Sequence, residues 1–296
     1  MNRTLQNRVL ETLVFLTLRL EAMDVHEEIV RLKRAGIKAA LATIVNVRGS
    51  IPSFESAKLL VREDGSIFGT VGGGCVEAEV WAAAREVIQE EKARTLSFNL
   101  NNDPAFDTGL LCGGTLEIFI EPILPTAYLY IFGAGHVSLA LSKVATIAGF
   151  STVIVDDRER FANNERFPEA AEIHAGEYEE VMDRLLPNSS SFIVIVTRGH
   201  HDDMHVLGWA VGTEARYVGM IGSRRKVIEI VKYLEKQGVS AAQLSRVQAP
   251  IGLEIGAIQP EEIAVSIVGE LIAVRRKTVM GSAPKSKSIL TVSIED

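Results

Sequence analysis

Residues 128–157 read YLYIFGAGHVSLALSKVATIAGFSTVIVDD. An apolar run stops at Gly133-Ala134-Gly135, an amphipathic helical pattern follows, and a second apolar run closes on Asp156 and Asp157. A dinucleotide-binding βαβ unit has this order, with glycines for the tight turn and an acidic residue about 20 positions on. Such a turn aims backbone N–H groups of a helix N-terminus at an anion such as a pyrophosphate. Ser138 stands in the third glycine's place, where a small residue permits close helix–strand packing. Asp156 ends the second strand, where it could accept a ribose hydroxyl. Gly133, Gly135, His136 and Asp156 are therefore candidate ligand contacts. A doubly wound fold can also use glycine here for geometry alone, and fold does not fix function.

Downstream the pattern continues as βα alternation, which predicts a parallel sheet. Strands are expected near 128–132, 151–156, 172–174, 191–197 and 216–221. The run SFIVIVT at 191–197 is nearly continuous in apolar character, as in a strand covered on both faces. Thr197-Arg198-Gly199-His200 follows its C-terminal end, where ligands of open α/β sheets gather, so Arg198 and His200 join the candidates. Gly219 to Lys226 (GMIGSRRK) repeats strand, glycine and helix with cations beside the turn, which adds Ser223 and Arg224 as oxyanion contacts. The cluster His200, His201, Asp202, Asp203 and His205 is expected to consist of solvated loop residues or helix-capping aspartates rather than a metal site. Pro260-Glu261-Glu262 starts a last helix, with proline in the first turn and acids complementing the dipole. Residues 281–296 read as a loose tail.

Upstream, residues 1–22 read as a leading helix, and a second helix starts at Met23-Asp24 and stops at Gly36. Ala39 to Val47 is a β-rich run ending at Gly49-Ser50. Lys58–Val61 and Ser66–Val71 form a hairpin pattern through Glu63-Asp64-Gly65. Gly72-Gly73-Gly74-Cys75 then opens a helix with Val76, Val80, Ala84, Val87 and Ile88 on one side. A strand near Leu96–Leu100, the polar loop Asn101-Asn102-Asp103-Pro104 and an alternating strand Thr115–Ile120 follow, with Pro122 and Pro125 marking a linker. Three glycines let a main chain pass close to a ligand or another backbone. Cys75 at a helix N-terminus and Cys112, beside Gly113 and Gly114, are candidates for thiolate contact with a ligand or metal centre, against the ordinary reading of buried structural cysteines.

The expected class is α/β: an N-terminal α+β domain followed by a Rossmann-like doubly wound parallel-sheet domain. The expected divisions are a helical extension at 1–22, the α+β domain at 23–124, the Rossmann-like domain at 125–280 and the tail at 281–296. At 296 residues the chain has room for two cores. A net charge of −7 argues against broad nucleic-acid binding. No run of about 18 apolar residues predicts a membrane span. Two cysteines describe neither a disulfide-built secreted domain nor an iron–sulfur protein, since one cysteine-ligated cluster takes about four. A cytoplasmic location is expected.

Taken together, several segments carry a more specific resemblance. They are Gly49-Ser50 with Pro52, GTVGGGCVEAE (69–79), GLLCGG (109–114), GAGHVS, VDDR and RFP (166–168), TRGHHDD, YVGMIGSRRK, APIGLEIGA (249–257) and PEEIAVSIVGE. In this order they resemble the xanthine dehydrogenase accessory factor family, XdhC/CoxI, over residues 23–276.

The resemblance implies a protein that binds the molybdenum cofactor (molybdopterin), protects it while its terminal sulfur is installed, and hands it to an apo molybdenum hydroxylase of xanthine dehydrogenase type. A cysteine desulfurase-type sulfurase and a homodimer belong to that picture, and residues 1–22 would precede the family's usual start. The implied cofactor contacts are Ser50, Lys58, Gly72, Gly73, Gly74, Cys75, Cys112 and Gly113 in the first domain. In the second they are Gly133, Gly135, His136, Asp156, Arg198, His200, Ser223 and Arg224, with Cys75 and Cys112 nearest the metal. One departure stands out: Ser53 and Ser56 occupy places where the family has a basic residue and a glycine. The competing reading is an NAD(P)-dependent oxidoreductase or redox sensor, although no acid, base and electrophile form an obvious catalytic set. A structural partner protein without a ligand is the third.

Overall fold

The computed structural model describes residues 24–50, 56–99 and 113–276. The expected leading helix, Ser53, the 101–104 loop, Cys112 and the tail lie outside the described residues. Chain contacts divide at Pro125, giving one unit from Met1 to Pro125 and a second from Thr126 to Asp296.

The first unit is an antiparallel sheet with a helix on each face. Its elements are α1 (Val25–Ala35), β1 (Ala39–Ser50), β2 (Lys58–Arg62), β3 (Ile67–Gly69), α2 (Gly74–Glu90), β4 (Arg94–Asn99) and β5 (Gly113–Ile123), with strand order β3-β2-β1-β5-β4. Asp24 caps α1 by accepting the His26 N–H, and Gly36 ends it in the left-handed region at φ 76°. Because strand side chains alternate faces, Ala40, Ala42, Leu59 and Val61 meet α2 through Val80, Ala84, Val87 and Ile88. Ala39, Leu41 and Leu60 turn the other way, to Leu32 of α1.

Two expectations need correction in this unit. The second hairpin strand is only Ile67–Gly69, shorter than the expected 66–71. Pro122 is no linker: it lies inside β5 opposite Ala40. β4 stops pairing at Ile120, so beyond that residue β5 has a neighbour only on the β1 side, and a missing N–H on the open side costs no ladder bond.

The second unit holds a parallel sheet between two helical layers. Its strands are β6 (Tyr128–Phe132), β7 (Ser151–Asp156), β8 (Glu172–Ala175), β9 (Phe192–Ile195), β10 (Tyr217–Met220) and β11 (Val247–Gln248). Its helices are α3 (His136–Ile147), α4 (Tyr178–Met182), α5 (His200–Ala210), α6 (Arg224–Lys236), α7 (Ala241–Leu244) and α8 (Pro260–Arg275). The order is β11-β10-β9-β6-β7-β8 with every pair parallel. Counted from β6, the sheet runs third, second, first, fourth, fifth, sixth when read from the β8 edge with β6 and its neighbours as the first half, which is the Rossmann order. β11 is an addition to the strands expected from sequence.

Burial explains the continuous apolar runs. Tyr130, Phe132, Val153, Val155, Ile193 and Ile195 pack under α4, α5 and α6. Leu129, Ile131, Ile154, Phe192 and Val194 pack under α3 and α8. Each fully buried side chain of this size contributes about 1.5–3 kcal/mol, so neither face can be polar. On the buried face of α3, Ser138, Ser142 and Ala145 are small enough for close approach to the sheet, and Leu141 packs into the core. Among the described residues no helix is long and apolar enough to cross a membrane.

Candidate functional site

The parallel sheet changes winding direction between β6 and β9, and a crevice forms outside the carboxyl ends of strands at such a point. Gly133 to His136 leave β6, Thr197 to His200 leave β9, Ser223 and Arg224 follow β10, and Asp156 ends β7. The topology thus gathers Gly133, Gly135, His136, Asp156, Arg198, His200, Ser223 and Arg224 at the same sheet end.

Gly133 is required by packing as well as by backbone. Its φ is 104°, and a Cβ there would stand 2.4 Å from the Val196 carbonyl oxygen. Gly135 differs: its φ is −76°, and nothing lies within 4 Å of an added Cβ. That open space at the start of α3 is where an anion could approach the backbone. His136, the first residue of α3, is exposed.

Asp156 is 1% exposed and accepts the Ala134 N–H at 2.7 Å. Arg158 donates to it from its backbone N–H at 3.0 Å, from Nε at 2.8 Å and from Nη2 at 2.9 Å. Burial raises this carboxyl, but the hydrogen bonds from Arg158 and Ala134 and the Arg158 charge outweigh it, leaving the group below the ordinary aspartate range. Arg198 pairs with Asp157 at 2.5 Å. Arg158 and Arg166 both stand over the Phe161 ring, at 3.9 and 4.9 Å.

On the β9 and β10 side, Asp203 is fully buried and takes the Thr197 hydroxyl at 2.5 Å and the Lys226 ammonium as an ion pair. Burial pushes its carboxyl up, and Lys226 and Thr197 offset that only in part. Ser223 caps α6 through the Lys226 N–H at 3.3 Å. Of the three cations in this turn, Lys226 is committed to Asp203 and Arg225 pairs with Glu229 at 3.3 Å.

The histidine cluster is not a loop. His200 to His205 open α5, and the sequence itself places His201 and His205 four apart on one helical face. Both line an open groove of about 490 Å³ with Glu179, Met204, Trp209 and Tyr233. Asp203 is not a cap but the buried acceptor just described. His200 lies 3.7 Å from Glu229. Among the described residues no group of three or more His, Cys, Asp or Glu is placed to hold a metal ion.

In the first unit the candidates follow strand ends that run the same way, but Lys58 pairs with Thr43, well short of Ser50 along β1. β1 finishes at Ser50 opposite Gly113 of β5, β2 starts at Lys58, and β3 leads through Gly72–Gly74 into α2 with Cys75 in its first turn. Lys58 donates to the Ser56 carbonyl at 3.1 Å. Gly72, Gly73 and Gly74 have φ values of 118°, 77° and 65°, and no atom would meet a Cβ at Gly73 or Gly74. The triple glycine is therefore a conformational requirement with open space around it. Cys75 is exposed, not buried as the ordinary reading has it.

Sequence reasoning missed Glu77. Its Oε2 accepts the Thr70 hydroxyl at 2.5 Å, the Val71 N–H at 3.3 Å and the Gly73 N–H at 3.2 Å, so a carboxylate from α2 closes the glycine turn. A Glu four residues beyond the cap glycine was the available signal.

Comparison with known proteins follows the same division. Residues 129–271 match the model of the XdhC Rossmann domain, and residues 32–99 that of the XdhC and CoxI family. The chain is 33% identical over 260 residues to the uncharacterized protein YqeB of Escherichia coli K12, spanning 88% of this chain but only 48% of YqeB. It is 22% identical over 320 residues to a probable xanthine dehydrogenase subunit of Bacillus subtilis 168, covering 82% of this chain and 95% of that protein. It is also 22% identical over 291 residues to the molybdenum cofactor insertion chaperone PaoD of Escherichia coli K12, covering 81% of this chain and 85% of PaoD.

Proposed function

The chain belongs to the XdhC and CoxI family, and from that premise we propose that it binds the molybdenum cofactor and inserts it into an apo molybdenum hydroxylase of xanthine dehydrogenase type. The observation that carries this reading is the match to PaoD, an insertion chaperone by name, which runs through 85% of that protein's length and not through the Rossmann part alone. The chain acts as an accessory factor in the cytoplasm, as a homodimer, receiving cofactor whose terminal sulfur a cysteine desulfurase-type enzyme supplies.

The chemistry of the two units supports the proposal. Molybdopterin is an anionic pterin phosphate whose metal takes sulfur and oxygen ligands. Soft thiolates suit such a metal, and Cys75 and Cys112 are assigned to that end of the cargo. Gly72 to Gly74, with Ser50, Lys58 and Gly113, would admit the pterin. Independently, in the second unit the Gly133–Gly135 turn, with Arg198, Ser223 and Arg224, offers N–H groups and cations suited to a phosphate.

Calorimetry with purified protein tests this. Molybdopterin should bind, and Cys75→Ala or Cys112→Ala should weaken it. Binding of NAD or NADP with no uptake of molybdopterin would replace the carrier by the oxidoreductase reading.

A further inference from the structure

In a dinucleotide site the acid that ends the second strand reads a ribose diol. Asp156 has that position, but an ionised carboxylate offers about four lone-pair sites, and here each is taken. Oδ2 receives the Ala134 N–H and Arg158 Nη2; Oδ1 receives the Arg158 N–H and Nε. The guanidinium is fixed in turn, 3.9 Å from the centre of the Phe161 ring and 3.5 Å from an Asp157 oxygen. A two-pronged arginine–carboxylate pair is the strong, planar form of ion pair, and at 1% exposure of Asp156 water screens it little. A ribose could reach Asp156 only by displacing Arg158.

We propose that Arg158 closes the ribose position of this crevice, so that the Gly133–Gly135 turn takes a phosphate ester while a nucleoside diol is refused. Gly135 keeps its open space for the phosphate. The ligand class is then a phosphate monoester with no nucleoside at that end. Resting on the carrier reading above, this selects molybdopterin itself over its nucleotide-extended form. Arg158 is a specificity residue in this scheme, acting through the lone pairs of Asp156.

The test titrates NAD⁺ into the full-length chain by calorimetry and needs no molybdopterin. Arg158→Met keeps a stem against Phe161 but has no donor, and it should bind NAD⁺ about tenfold or more tighter than the wild type, because a freed acceptor discriminates strongly for a hydroxyl. Adding Asp156→Asn to that variant should remove the gain. Thermal melts establish that each protein is folded. If Arg158→Met does not fold, Arg158→Lys, which can cover fewer of the lone pairs, should show a smaller gain. No gain in a folded variant, or a gain that survives Asp156→Asn, overturns the proposal. Failure of molybdopterin to bind the wild type would sink the carrier reading and leave this result standing.

Discussion

Thr197 donates its hydroxyl to Asp203 at 2.5 Å where the loop after β9 meets the first turn of α5. Lys226, from the first turn of α6, pairs with the same carboxylate. One buried side chain therefore ties together the segments that follow β9 and β10, both of which border the crevice. Asp203→Ala would leave a buried hydroxyl and a half-buried ammonium without their acceptor. The expected loss is about 2–3 kcal/mol, and Thr197→Val should cost about 1 kcal/mol, both read from urea unfolding. A loss under about 0.5 kcal/mol for Asp203→Ala would mean that the two segments are held by packing alone.

The two crevice glycines should separate by variant. Gly133→Ala places a methyl 2.4 Å from the Val196 oxygen at a φ of 104°, which calls for a backbone shift and a loss of about 2 kcal/mol or more. Gly135→Ala meets nothing within 4 Å at an ordinary φ, so its stability should stay within about 0.5 kcal/mol of the wild type. Loss of phosphate-ligand binding in Gly135→Ala would then report contact with the ligand rather than damage to the fold.

Much of this was legible in the chain itself, for reasons that differ by element. Gly133, the 191–197 run and Pro260 act through residue type and local spacing, which a sequence displays directly. Pro122 misleads because proline speaks for a break, while its tolerance depends on where the neighbouring β4 ends. β11 has two residues, too few for any period to register. The four-residue spacing of His201 and His205 is in the sequence, but it gains meaning only once the segment is helical from His200 onward. Asp156 stood in the expected position, and its saturation by Arg158 could not be read from types and spacing, since it turns on where a guanidinium folds back. Glu77 and Asp203 are the same kind of case: acids whose work is set by donors brought to them in three dimensions.

Acid should reveal the Asp156–Arg158 pair. The folded pKa of Asp156 lies below its ordinary 3.8, so the pair's stabilisation is complete above that value and is lost as pH falls through the lower folded pKa. Arg158→Met removes the main cause of the shift. The stability gap between wild type and variant should be widest near about pH 7 and should shrink as pH falls through the carboxylate range, because protonation first relieves the variant's buried, unpaired Asp156 and then breaks the wild-type pair. Urea unfolding across that range measures it, and a gap unchanged down to about pH 3 would mean the two groups contribute by packing rather than charge.

Ser56 carries strain that one substitution should release. Its φ is 72°, in the left-handed region, where an L side chain costs about 1 kcal/mol. The turn is held on both sides: Ser56 donates its N–H to the Ile44 carbonyl at 3.0 Å, Ile44 donates back to Ala57 at 3.0 Å, and Lys58 donates to the Ser56 carbonyl. These bonds fix the backbone beside the irregularity that shifts β1 pairing between Ile44 and Asn46, so the residue cannot relax to a negative φ without breaking them. Glycine, the residue that the family resemblance implies at this place, adopts that φ without a steric cost. Its greater freedom in the unfolded chain takes back part of the gain. Ser56→Gly should therefore raise stability by about 0.5–1 kcal/mol in urea unfolding, whereas Ser56→Val should lower it by at least as much, because a β-branched side chain tolerates a positive φ least. Equal stabilities for the glycine and valine variants would show that the turn adapts to its residue.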